Sequence, residues 1–142
     1  MHLHIVNGPN LNLLGKREVD IYGKESFEDF LKQLQQKFPN VKLTYFQSNV
    51  EGEIITSIQD FGFICDGLII NPAGYSHTSV SIADAIAAVP CKTIEVHISN
   101  IHAREAFRKH SFVSSKAKGV ICGLGLFGYE AAILSFLDFK SS

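Results

Sequence analysis

Short apolar, β-branched runs alternate with amphipathic stretches from one end of this sequence to the other, and that alternation constrains the fold more than any other feature. The runs read as strands at about 2–6, 41–46, 67–70, 93–98 and 119–122, each bounded by turn residues. Between the first two, Phe27, Phe30, Leu31, Leu34 and Phe38 recur at helical spacing. Ser26 with Asp29 forms a capping-box-like start, and Pro39-Asn40 a stop. Ile54, Ile55, Ile58 and Phe61 mark a second helix. Val80, Ile82, Ala85, Ile86 and Val89 should form the buried stripe of a third, ended by Pro90. A short helix is expected at about 102–108, and Tyr129, Ile133, Leu134 and Leu137 mark the last one. Repeated strand–helix alternation implies a parallel sheet with helices on both faces.

Five units suit a flavodoxin-like doubly wound sheet of order 2-1-3-4-5 better than a six-stranded dinucleotide fold. With 142 residues, the chain reads as a single domain spanning 1–142, long enough to bury a core without a disulfide or metal staple. A hydrophobic content of 46% against 19% charged residues excludes general disorder. Thirteen basic and fourteen acidic side chains leave a net charge of −1, so nothing electrostatic points to nucleic acid or an anionic membrane. No apolar run approaches the roughly 20 residues of a membrane span, and no signal-like segment opens the chain. A soluble, cytoplasmic protein is the expectation. Cys65, Cys91 and Cys122 include no C-x-x-C and have apolar neighbours, which suggests buried reduced thiols.

The stretch from Asn7 to Glu25 breaks the rhythm, with neither helical nor strand period. Loops of this length in a compact domain tend to be lids or binding loops. Gly15 and Gly23 bracket its charged and aromatic part, as hinges of a lid at about 15–25 would. In open α/β sheets, ligands bind beyond the carboxyl ends of the strands, at the switch in strand order. Here those ends read Asn7-Gly8-Pro9-Asn10 and Asn71-Pro72-Ala73-Gly74-Tyr75-Ser76-His77. Either loop alone could be plain turn chemistry. Together they suggest a polar ligand site.

The fourth strand carries a second signal. In Thr93-Ile94-Glu95-Val96-His97-Ile98-Ser99, the period of two puts Glu95, His97 and Ser99 on one face and Ile94, Val96 and Ile98 on the other. An interior strand of a doubly wound sheet is expected to be apolar on both faces. A carboxylate beside an imidazole favours the protonated ring, which suits general acid catalysis. A structural Glu–His pair is the alternative. Arg17 and Tyr22 fall in the loop, where a guanidinium could stabilise a phenolate. Alternatively they are surface groups. Backbone N–H groups after His77, at Thr78 and Ser79, could accept an anion, and Arg104 and Arg108 on the short helix could meet a carboxylate. The remaining histidines, His2, His4, His102 and His110, show no H-x-x-x-H spacing, so no metal is expected. The literal G-x-G-x-x-G from Gly123 to Gly128 follows the last strand and reads as a tight strand–helix turn.

The motifs NGPNLNLLG (7–15), RE-x-x-x-YG (17–23), QSNVEGE (47–53), INPAGYSHTSV (70–80), EVHISNIHARE (95–105) with FRKHS (107–111), and KGVICGLG (118–125) together closely resemble type II 3-dehydroquinate dehydratase. The match runs in order from about Leu3 to Phe136. The resemblance implies a flavodoxin-like fold and dehydration of 3-dehydroquinate to 3-dehydroshikimate in the shikimate pathway, with no metal, cofactor or Schiff base. By the matched motifs, Tyr22 would remove the proton beside the ketone and Arg17 would hold it as phenolate. Asn10 would position Tyr22 and a water that stabilises the enolate. His97, oriented by Glu95, would protonate the departing hydroxyl. Asn71, His77, Ile98, Ser99 and Arg108 would bind the substrate. Asp84 would reach the site of a neighbouring subunit in a dodecamer built as a tetramer of trimers. Two departures stand out: Val19 where the family usually has proline, and Ala73-Gly74 where the usual order is Gly-Ala. The competing expectation is a flavodoxin-like module that binds flavin or phosphate without catalysis.

Overall fold

A computed structural model describes residues 1–16, 20 and 24–141, with side chains to residue 139. Five parallel strands, β1 (His2–Asn7), β2 (Lys42–Gln47), β3 (Gly67–Asn71), β4 (Lys92–His97) and β5 (Gly119–Cys122), form one sheet of order 2-1-3-4-5. Four α-helices follow the sequence pattern: α1 (Phe27–Lys37), α2 (Glu51–Gly62), α3 (Val80–Ala88) and α4 (Phe127–Ser141). Ser26 caps α1 by accepting from the Asp29 amide at 3.2 Å, as the capping signal implies.

Strand alternation distributes the core between two faces. Leu3, Ile5, Ile69, Ile94 and Val96 point toward α1 and α4, whose Phe27, Phe30, Tyr129, Ile133 and Phe136 cover them. Val6, Leu68 and Ile70 point the other way, under Ile54 and Ile58 of α2 and Ile82 and Ile86 of α3. Burying a large aliphatic side chain contributes about 1.5–3 kcal/mol, so these two layers supply the main driving force for the sheet.

Three expectations are corrected. Val80 is 54% exposed and lies outside the α3 stripe, which is built by Ile82, Ala83, Ala85 and Ile86 with Val89 beyond the helix end. Leu134 in α4 is likewise exposed, while Ala132 and Phe136 turn inward beside Tyr129 and Ile133. No α-helix forms at 102–108. Two 3₁₀ turns, Ile101–Ala103 and Ala106–Lys109, stand there, separated by Arg104 and Glu105 in extended conformation. A helix this short is marginal in itself, and the Asn100 side chain accepts from the His102 amide at 3.1 Å, closing the first turn locally. The β4–β5 connection is therefore built of 3₁₀ turns, from which Ile101 and Val113 are buried. Of the three thiols, Cys65 is buried and Cys91 and Cys122 are half-buried.

The long connection after β1 also contains a 3₁₀ turn, Leu11–Leu13. Gly15 adopts φ 86°, and a Cβ there would meet the Lys24 carbonyl oxygen at 2.6 Å, so the two ends of the expected lid lie against each other. Residues 17–19 and 21–23 of the expected lid, Arg17, Tyr22 and Gly23 among them, fall outside the described residues.

Candidate active site

Three amide side chains mark the switch in strand order. Asn7 ends β1 and pairs in register with Gln47 of β2 on one side and Asn71 of β3 on the other. The chain turns at once after Asn7. Gly8 donates its N–H to the Asn71 carbonyl at 2.8 Å. A Cβ on Gly8 would meet the Pro72 carbonyl oxygen at 2.5 Å, so only glycine permits this approach of the two loops. Asn10 then takes a left-handed conformation, φ 70°, and its N–H donates to Asn49 Oδ1 at 3.0 Å.

Above these strand ends lies a cleft of about 150 Å³. Asn10, Asn71, His77, His97, Ile98, Ser99 and Arg108 all line it, as the sequence reading requires of a site at the switch point. Glu95 lies behind His97 and does not reach the cleft wall, and Asp84 sits on the exposed side of α3, away from the lining.

Glu95 Oε2 and His97 Nε2 are hydrogen-bonded inside the protein, with neither side chain more than 5% exposed. Ser111 donates to Glu95 Oε2 at 2.9 Å and Ser114 to Oε1 at 2.7 Å. Burial pushes the Glu95 carboxyl up, but hydrogen bonds from His97, Ser114 and Ser111 outweigh it and hold the group below the usual carboxylate value. The carboxylate thus accepts the His97 Nε2–H, which leaves Nδ1 as the ring nitrogen able to meet a ligand.

His77 is pinned in a comparable way. Its Nδ1 lies 2.7 Å from the His110 carbonyl oxygen, an acceptor only, so Nδ1 carries the proton and Nε2 is left for the cleft. It is presented by a 3₁₀ turn, Ala73–His77, that starts at Ala73 with φ 55°. Gly74 directly follows, where a Cβ would meet nothing within 4 Å, while Ala73 carries its own Cβ in the left-handed region that favours glycine. The Ser79 hydroxyl caps α3 by accepting from the Ile82 amide at 3.0 Å, leaving less of that helix start for an anion than the sequence suggests.

Arg104 and Arg108 do not share a helix face. Arg104 Nη1 donates to the Ser99 hydroxyl at 3.3 Å. Arg108 Nε donates to Glu105 Oε2 at 2.7 Å, and its guanidinium carbon lies 4.9 Å from the centre of the Phe107 ring. The Arg108 hydrogen bond draws the exposed Glu105 carboxyl below its ordinary value.

Sequence reading missed the groups that hold the site from behind. Ser111 precedes, and Ser114 opens, a 3₁₀ turn (Ser114–Lys116) too short to carry a periodic signal, although Ser111 belongs to one of the matched motifs. Tyr129 is read as a core residue and is one, yet its hydroxyl reaches Asn7 and Asn71 at the strand ends. Among the described residues, no group of three or more His, Cys, Asp or Glu side chains is arranged to hold a metal ion.

Fold and site together define a flavodoxin-like α/β protein with a buried carboxylate–imidazole pair opening on its switch-point cleft. The chain belongs to the class II dehydroquinase family, whose model matches residues 1–137. It is 53% identical over 131 residues to the 3-dehydroquinate dehydratase of Tolumonas auensis, covering 91% of this chain and 86% of that protein. The Campylobacter jejuni 3-dehydroquinate dehydratase is 50% identical over 140 residues, with 97% and 88% covered. The crystal structure of type II dehydroquinase from Butyrivibrio crossotus superposes with a TM-score of 0.92 at 44% identity, covering 96% of this chain and 97% of that one.

Proposed function

We propose that this chain is a hydro-lyase that dehydrates 3-dehydroquinate to 3-dehydroshikimate in the shikimate pathway, by anti elimination through an enolate. Family membership supports the reaction. The observation that carries the reading to this site is the buried Glu95–His97 pair opening beside His77 and Asn71 at the switch-point cleft. In this reading Tyr22, as phenolate beside Arg17, removes the proton next to the ketone, while Asn10 positions Tyr22 and a water at the enolate oxygen. His97 gives its Nδ1 proton to the leaving hydroxyl, which departs as water, and Glu95 stabilises and orients the imidazolium. Asn71, His77, Ile98, Ser99 and Arg108 bind the substrate's hydroxyls and carboxylate. The groups named do this with acid–base chemistry alone, and no cofactor is assigned.

The assembly belongs to the same proposal: a homododecamer of four trimers, in which Asp84 completes a neighbouring subunit's site, acting in the cytoplasm. A flavin- or phosphate-binding module is not favoured, because a module without chemistry has no use for an imidazole held by a buried carboxylate at the cleft wall. Purified protein incubated with 3-dehydroquinate should generate the absorbance of an enone conjugated to a carboxylate. A folded protein that produces none would overturn the proposal.

A further inference from the structure

We infer that Tyr129 is a positioning residue for substrate binding, acting through the amide of Asn71. The inference rests on the proposed site, and it concerns a residue in α4 that does not line the cleft. Tyr129 is fully buried against Phe27 and Phe30, with ring centroids 4.9 and 6.1 Å away, so packing alone would explain a phenylalanine there. The hydroxyl does something more. It donates to Asn7 Oδ1 at 2.8 Å and accepts from Asn71 Nδ2 at 3.0 Å, joining the last residues of β1 and β3, which are register partners at the switch point.

The direction of these bonds is determined by a third. The Ala73 N–H donates to Asn71 Oδ1 at 3.1 Å, and a backbone N–H has no other role open to it. The Asn71 oxygen must therefore face Ala73 and its NH₂ must face Tyr129. Rotating that amide by 180° would set the NH₂ against the Ala73 N–H and leave two donors opposed. With the Tyr129 hydroxyl proton committed to Asn7, its oxygen is the acceptor Asn71 needs. One Nδ2 proton is thus tied to Tyr129, and the other is left as a donor at the cleft wall, aimed at an oxygen of the bound substrate. The same amide anchors Ala73, the left-handed residue that begins the turn presenting His77. One hydroxyl in the core thereby holds in place a binding group whose polarity the Ala73 N–H sets, and steadies the turn beside it.

Tyr129→Phe keeps the ring and removes only the oxygen. In the full chain, its KM for 3-dehydroquinate should rise about tenfold, the effect of one hydrogen bond of ordinary strength, while kcat changes less than about threefold. In an Asn71→Ala background, adding Tyr129→Phe should raise KM no further, because the group through which it acts is already gone. An unchanged KM in folded Tyr129→Phe, or KM effects that multiply in the double variant, would overturn the inference. Hydrogen exchange of the Asn71 side-chain amide, followed by NMR in the unsubstituted protein, is independent of variant folding and of turnover. One Nδ2 proton should exchange at least about tenfold more slowly than the other. Equal exchange of the two would show that no clamp exists, even if the dehydration itself is confirmed; slow exchange of one in a protein that does not turn over 3-dehydroquinate would retain the clamp and remove its assigned substrate.

Discussion

The imidazoles of His77 and His97 lie nearly parallel beside the cleft, with ring planes 22° apart and centroids separated by 6.4 Å. Each is anchored through one nitrogen by an acceptor behind it, the His110 carbonyl in one case and the Glu95 carboxylate in the other. The two nitrogens that remain, His77 Nε2 and His97 Nδ1, differ in what stands behind their rings: a neutral carbonyl in one case, and in the other a carboxylate able to balance a protonated ring.

In the proposed reaction His77 binds and His97 delivers the proton. His97→Ala should lower turnover by about 10²–10⁴-fold, the usual worth of a general acid. Exchange of the proton beside the ketone into deuterated water should survive better than elimination. If exchange is lost while elimination continues, His97 has been given the wrong half of the reaction.

Tyr22→Phe is the complementary variant. Loss of the phenolate should cost at least about 10²-fold in turnover with substrate binding largely kept. Near-normal turnover in a folded Tyr22→Phe protein would remove Tyr22 from the role of base.

Sequence pattern was enough to place the five strands to within a residue at either end, the last four being apolar or β-branched runs between turn residues. It failed at 102–108 and at Val80 for one physical reason: hydrophobic spacing does not report local capping or where a helix's first turn leaves the core. The alternation Glu95-x-His97 placed a polar pair on a buried face, but not the hydroxyls that satisfy it. Ser111 and Ser114 arrive from a stretch 16 and 19 residues further on, whose single three-residue 3₁₀ turn, Ser114–Lys116, is too short to impose a period. Asn71 and His77 were legible as residues of a switch-point loop. The contact from Tyr129 to Asn7 spans 122 residues, and only the tertiary fold creates it.

Ser114→Ala should destabilise the fold by about 1–3 kcal/mol by leaving one oxygen of a buried carboxylate short of a donor. It should also move the pH dependence of stability. A carboxyl held below its unfolded value stabilises the protein above the unfolded pKa, and that contribution disappears as pH falls through the folded one. With Ser114 gone, burial weighs more heavily and the Glu95 carboxyl rises, so acid unfolding should begin at higher pH. Urea titrations at neutral and mildly acidic pH would reveal no such shift if the hydroxyl contributes nothing.

His4 supplies a second acid-sensitive element, away from the cleft. Its Nδ1 meets the Thr44 hydroxyl at 2.7 Å, its Nε2 meets the Ser57 hydroxyl at 2.8 Å, and its ring stacks on Phe61 with centroids 3.6 Å apart. Burial lowers its pKa from 6.5 to about 4, with the charge of His2 adding to the effect. The unfolded chain therefore binds the extra proton first, and stability should fall as pH drops from about 6.5 toward 4, by up to roughly 3 kcal/mol. His4→Gln should flatten that part of the stability curve. An unchanged slope between those pH values would assign the acid sensitivity elsewhere.

The outward face of α3 tests the proposed assembly. Asp84, Ala87 and Ala88 are exposed there, beside Val80 at the helix start, and no other part of the described chain covers them. Two alanines allow close approach of a second surface, an exposed valine gives it apolar area, and in the proposed assembly the Asp84 carboxylate enters a neighbour's cleft. If trimers form through this face, Asp84→Ala should weaken association and lower activity although each subunit retains its own His97 and Glu95. Val80→Asp should disrupt association more strongly, since a second charge would be buried without a partner. Light scattering across a protein dilution series reads both effects. A fully active monomer at every concentration would contradict the shared site.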